Sequence, residues 1–186
     1  MRLIVGISGA SGAVYGLRLL EKLRRSNDVE IHLILTRAGE KTLSLETGKD
    51  VREVRALAHH SYAVDAIGSR LASGSFPVHG MVIAPCSIRT MSSIATGTTE
   101  NLVSRAADVT LKERRKLILM VRETPLHLGH LRTMTSLAEM GAIIAPPIPA
   151  FYHKPETLMD VVDHSVDRVL DLLGLPDPGA RRWDGA

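Results

Sequence analysis

The chain is poor in several things that would each have pointed to a different kind of protein. Its 186 residues contain a single cysteine, Cys86. No intrachain disulfide can therefore form, and a reducing cytoplasm is the expected compartment. Aromatics make up only 3% of the chain, one Trp, three Tyr and two Phe. That leaves few platforms on which single-stranded bases could stack. The net charge of +3 is too mild to argue for nucleic acid, and Lys112-Glu113-Arg114-Arg115-Lys116 is mixed in sign. The longest uncharged apolar stretch, Gly141 to Tyr152, is broken by three prolines and is too short to span a bilayer. The N-terminus enters a strand-like run at once, so no signal peptide is expected. What remains is 45% hydrophobic, the content of a globular α/β protein with a substantial core.

The chain is organised around its first stretch. Leu3 to Ile7 is a short apolar run with β-branched residues, as in a strand covered on both faces. Gly6, Gly9 and Gly12 then recur every third residue, and Val14, Leu17, Leu19, Leu20 and Leu23 repeat at helical spacing. The first amides of such a helix point back into the turn and favour phosphate. The spacing is not the dinucleotide fingerprint, and no Gly-Lys-Ser/Thr follows as a P-loop requires. A plain βα turn with Ser11 as helix cap fits as well.

Glu30 to Leu35 is a second strand ending at Thr36-Arg37, without the acid that holds an NAD ribose; Arg37 keeps NADP open. Residues 38–47 and 51–58 read as helices. Glu46 falls near the end of the first, where an acid gains nothing from that helix's dipole. Residues 65–75 form a loop or short helix. Met81 to Ala84 is a buried strand that runs into Pro85-Cys86-Ser87-Ile88-Arg89-Thr90 and a helix through Ala95, with Ser87 able to cap it. Ser11 and Ser87 are thus expected to face one ligand where parallel strand ends converge. Cys86 reads as a packing residue. A long helix from Asn101 to Arg114 carries Arg105 and Lys112 on one side. The strand Lys116 to Val121 ends in Arg122-Glu123-Thr124-Pro125, where an α/β fold places chemistry. His127 and His130 lack a third metal ligand and read as capping or packing groups on the next helix. After a final strand at 142–145, Pro146 to Tyr152 runs extended and delivers Phe151-Tyr152 to a strand end. Pro155 is expected to open a last helix closed by Gly174, with Leu158, Val161, Val162, Val166, Val169, Leu170 and Leu173 buried and Arg168 beside them. The predicted architecture is a three-layer α/β fold, a Rossmann-like or flavodoxin-like parallel sheet with helices on both faces. One domain over 1–175 is expected, with a 176–186 tail carrying Trp183.

Several motifs, in order, resemble the UbiX/Pad-type flavin prenyltransferases. They are Gly9-Ala-Ser-Gly12, Pro85-Cys-Ser-Ile-Arg-Thr90, Arg105-Ala-Ala-Asp108, Leu111-Lys-Glu-Arg-Arg115, Arg122-Glu-Thr-Pro-Leu126 and Pro149-Ala-Phe-Tyr152. That family joins a dimethylallyl group to N5 and C6 of reduced FMN, making the prenylated flavin used by UbiD-type decarboxylases. The resemblance implies that Gly9, Ala10, Ser11, Thr36, Ser87, Ile88, Arg89, Thr90 and Arg122 contact FMN, with Thr36 where most members have Ser. It implies that Tyr152, Arg168 and Trp183 meet dimethylallyl phosphate, and that Arg105 and Lys112 line the phosphate site. It makes Glu46 and Glu123 the catalytic carboxylates and turns Ser11 toward the reacting flavin edge. It further implies a dodecamer with sites shared between subunits.

The residue types suit the chemistry. An allylic phosphate ionises where cations surround the departing group, and Arg105, Lys112 and Arg168 could supply them without a metal. Aromatic faces such as Tyr152 and Trp183 hold the resulting positive charge. Two competing readings stay open. One is a flavin-dependent cysteine decarboxylase, against which Ile88-Arg89 counts because those proteins carry an Asn-containing motif there. The other is an FMN- or NADP-binding accessory subunit of a decarboxylase.

Overall fold

The computed structural model describes residues 1–183 and 185; Asp184 and Ala186 lie outside the described residues. Six strands form one parallel sheet. In chain order they are β1 (Arg2–Ile7), β2 (Glu30–Leu35), β3 (His60–Tyr62), β4 (Gly80–Cys86), β5 (Lys116–Val121) and β6 (Ile143–Ile144). Their spatial order is β3-β2-β1-β4-β5-β6, the doubly wound arrangement whose direction of winding reverses between β1 and β4. The seven helices are α1 (Ala13–Arg24), α2 (Arg37–Thr47), α3 (Val51–Ala56), α4 (Ile88–Ala95), α5 (Leu102–Lys112), α6 (Leu128–Glu139) and α7 (Leu158–Leu173).

The period-two alternation of β1 divides the core into its two layers. Leu3, Val5 and Ile7 pack with Leu19, Leu20 and Leu23 of α1 and Val166, Val169 and Leu170 of α7. Ile4 points the other way, to Met91 and Ile94 of α4, Val103 and Ala106 of α5 and Leu137 of α6. Both faces of the central strands are thereby covered. That explains why they read as continuous apolar runs rather than alternating ones.

Three expectations change. His60-Ser-Tyr62 forms an edge strand on β2 where only helix and loop were expected. The last helix begins at Leu158, not Pro155. Its start is fixed by a capping box in which the Thr157 side chain accepts from the Asp160 amide and Asp160 reaches back to Thr157. Leu158, expected in the core, is 78% exposed on that first turn.

Candidate active site

Four neighbouring strands, β2, β1, β4 and β5, bring Thr36, the 8–12 turn, the 85–90 turn and Arg122 to one crevice at the switch point. The two turns are physically joined. Buried Ser8 donates from Oγ to the Pro85 carbonyl at 2.7 Å and accepts from the Ser87 amide at 2.8 Å. The two turns are thus held side by side, through a serine the sequence had not singled out.

Each turn is shaped by local chemistry. Gly12 adopts φ +97°, a conformation costly for other residues, and heads α1 without a side-chain cap. A Cβ on Gly9 would lie 2.4 Å from the Ala38 Cβ, so the turn packs directly on the start of α2. Ala10 is buried and Ser11 exposed. Thr36 caps α2 by accepting from the Gly39 amide at 2.9 Å. Ser87 caps α4 by accepting from the Thr90 amide at 3.3 Å, and its hydroxyl donates to Thr90 Oγ1 at 3.1 Å.

The first two amides at the head of α1 are already occupied, contrary to expectation. Glu46, from the last turn of α2, accepts from the Gly12 amide at 2.8 Å and the Ala13 amide at 2.9 Å. The acid that gains nothing from its own helix caps another, and Ser11 is not the cap. Burial pushes the Glu46 carboxyl up, but the Ser11 hydroxyl, the two amides and the Arg122 charge outweigh it and hold it below its usual range. A folded-state pKa lowered in this way adds stability above the unfolded value, and that stability is lost as pH falls through the folded one. Wild type should therefore melt above Glu46→Gln near neutral pH, with the gap closing on acidification. A gap independent of pH would refute the ionised cap.

Free donors lie on both turns and on β5. The amides of Gly9, Ala10 and Ser11 have no acceptor among the described residues. The amides of Ile88 and Arg89 open α4 and have no acceptor among the described residues. The Arg89 side chain turns outward to Glu100 at 3.3 Å. The Nε of Arg122 is buried with no partner among the described residues, an arrangement that calls for an anionic or carbonyl oxygen. Glu123 is exposed and, among the described residues, accepts only the Thr124 amide, at 3.0 Å. Cys86 is fully buried and its thiol is pushed up to about 12, so it is a packing residue. His127 caps α6 through Nδ1, and its ring stacks on His130 at 3.6 Å.

Two further groups of predicted residues make their own contacts. The Tyr152 hydroxyl meets His164 Nε2 at 2.6 Å, and its ring meets Trp183 edge-on at 5.7 Å. Together with Arg168, which pairs with Asp171 at 3.0 Å, they line a cavity of about 420 Å³. Sequence reasoning passed over His164, although a His four residues before Arg168 shares its helix face. Arg105 pairs with Asp108 at 2.7 Å on α5, and Lys112 pairs with Glu113 beside Gly74. Arg37 is exposed and only 3.9 Å from Asp65. No hydrogen bond or ion pair among the described residues joins the crevice, the Tyr152 cluster and the α5 cations.

A family model described as Flavoprotein matches residues 1–170. The flavin prenyltransferase UbiX of Escherichia coli K12 is 57% identical over 187 residues, covering 100% of this chain and 99% of that protein. The chain belongs to the UbiX/Pad-type flavin prenyltransferases. The flavin prenyltransferase UbiX of Thauera aromatica is 51% identical, covering 100% of this chain and 95% of its own. Among solved structures, the complex of AnUbiX (PadA1) with FMN and dimethylallyl pyrophosphate superposes with a TM-score of 0.97 at 43% identity, over 100% of this chain and 98% of that one. A dodecameric FMN-dependent UbiX-like decarboxylase from Escherichia coli O157:H7 does so with a TM-score of 0.98 at 48% identity, over the whole of both chains. The FMN-dependent cysteine decarboxylase SpaF shares only the fold, at 18% identity and a TM-score of 0.63, over 78% of this chain and 83% of that one.

Proposed function

We propose that the protein transfers a dimethylallyl group from dimethylallyl phosphate to N5 and C6 of reduced FMN, releasing phosphate and prenylated FMN for a UbiD-type decarboxylase. The observation that carries this reading is the crevice itself. Free α4 amides, two hydroxyls and the unpartnered Arg122 guanidinium form a mononucleotide grip, with Ser11 and Glu46 beside it. Reduced FMN supplies the nucleophilic atoms. Gly9, Ala10, Ser11, Thr36, Ser87, Ile88, Arg89, Thr90 and Arg122 hold it, with Arg89 acting through its amide. Tyr152, Trp183 and Arg168 receive the allyl phosphate, and Arg105 and Lys112 add charge that stabilises the departing phosphate. Glu123 takes the proton released from the flavin ring, while Glu46 fixes Ser11.

These three groups of residues meet in a homo-oligomer. Support comes from the lack of hydrogen bonds or ion pairs joining them among the described residues and from the exposed apolar side chains of Leu128, Leu131, Phe151 and Trp183. A dodecamer of single domains over 1–175, each extended by its 176–186 tail, fits that need. No metal enters the scheme, and the cytoplasm, where reduced flavin is available, is the compartment proposed. No helix among the described residues is long and apolar enough to cross a membrane.

The deciding experiment incubates the protein anaerobically with reduced FMN and dimethylallyl phosphate and measures the flavin mass. A five-carbon adduct is expected. Bound FMN without an adduct, with the pyrophosphate donor also tried, would leave an accessory FMN-binding role.

A further inference from the structure

The amino end of the sheet carries a second cluster, remote from the flavin crevice. His32 on β2 pairs in register with His60 on β3, and Glu30 lies two residues before His32, on the same face of the strand. The Glu30 Oε1 atom is 3.2 Å from His32 Nε2 and 3.1 Å from His60 Nε2. The three atoms lie within 4.8 Å of one another. His32 is completely buried, and its Nε2 has no hydrogen-bond partner among the described residues. About four residues of β2 separate this cluster from Thr36, roughly 13 Å along the strand.

The geometry points to a binding site for one divalent transition-metal ion of the zinc type, held by Glu30 Oε1, His32 Nε2 and His60 Nε2, with water completing a tetrahedron. The two separations from Glu30 Oε1, near 3.2 Å, are about what tetrahedral ligands have when each lies about 2.0 Å from a central zinc. The surrounding groups match those that orient metal ligands elsewhere. Tyr62 Oη lies 2.9 Å from His32 Nδ1, which fixes the ring; with Nδ1 as the donor of that bond, Nε2 is the ligand atom. Arg2 Nε donates to Glu30 Oε2 at 2.9 Å, which occupies the outer carboxylate oxygen and leaves Oε1 for the ion. The His32 and His60 rings lie 4.9 Å apart between centroids, held side by side by the strand register.

The charged groups facing the cluster are Glu30, Arg2 and Arg70, the last two over the Phe76 ring at 5.0 and 5.4 Å. A plain hydrogen-bonded network would use Glu30 in the same place. It would, however, leave the buried His32 nitrogen without a well-directed partner, at a cost that a metal bond removes. Bound metal would tie the three-residue edge strand β3 to β2, making the role structural.

The test uses the full-length chain, stripped with a chelator, dialysed, and titrated with zinc or cobalt. Wild type should retain one more zinc per chain after gel filtration than His60→Gln, and its melting temperature should rise with zinc where that of the variant does not. Cobalt should give wild type an intense tetrahedral visible spectrum that the variant loses. His60 is half-exposed, so its replacement should fold, as unchanged circular dichroism and FMN binding would verify. Should it fail to fold, Glu30→Gln and the wild-type cobalt spectrum decide. Equal zinc content in wild type and variant, or only a pale octahedral cobalt spectrum, would overturn the site and leave a hydrogen-bonded network.

Discussion

Glu123→Gln should bind FMN as wild type does and turn over roughly 10²- to 10⁴-fold more slowly, the range that a positioned general base supplies. The substitution keeps shape and removes only the ability to take a proton. Of the two carboxylates at the crevice, Glu123 is the one free to act. Glu46 already accepts from two backbone amides and is held below its usual range, so a proton taken there works against contacts that favour the charged form. Glu123 accepts a single backbone amide. Single-turnover measurements of flavin adduct formation, beside an FMN titration, separate the two quantities. Unchanged turnover would remove Glu123 from proton transfer, and lost FMN affinity would recast it as a binding residue.

Arg122→Ala should weaken FMN binding by roughly 10- to 150-fold, the equivalent of one charge-assisted hydrogen bond at about 1.5–3 kcal/mol. The estimate rests on the buried, unpartnered Nε. The backbone of Arg122 stays anchored by its amide to the Cys86 carbonyl at 3.1 Å, so truncation leaves the strand end in place. Arg122→Lys should recover only part of the loss, because an ammonium cannot reproduce the fork of the guanidinium. Quenching of flavin fluorescence measures both variants. Wild-type affinity in Arg122→Ala would show that the guanidinium faces something other than the nucleotide.

Much of the fold was legible because its signals are local. The buried strands announce themselves as apolar runs, and α1, α5 and α7 as 3.6-residue stripes. The edge strand β3 escaped because His-Ser-Tyr has neither an apolar run nor room to alternate, and only pairing with β2 makes it a strand. The start of α7 was misplaced because Pro155 is a strong first-turn residue. The Thr157 and Asp160 pair three residues apart was the better signal. At the site, strand-end residues such as Thr36, Ser87 and Arg122 could be placed by position alone. The grip of Glu46 on α1 could not, since it spans 34 residues of sequence. Likewise the lack of hydrogen bonds or ion pairs joining Arg105 and Lys112 to Tyr152 and Trp183 among the described residues depends on how elements pack, which no local pattern encodes.

The serine that ties the two turns together has an energetic consequence. Ser8 is wholly enclosed, so water does not compete for its hydroxyl, and both of its hydrogen bonds exist before any ligand arrives. The mouth between β1 and β4 is therefore preorganised. A nucleotide entering it need not freeze two independent loops, and less of its contact energy is spent on ordering them. Affinity at this crevice then reflects the contacts themselves, which is an advantage for a protein that must hold a flavin firmly during reaction and still let the altered flavin leave.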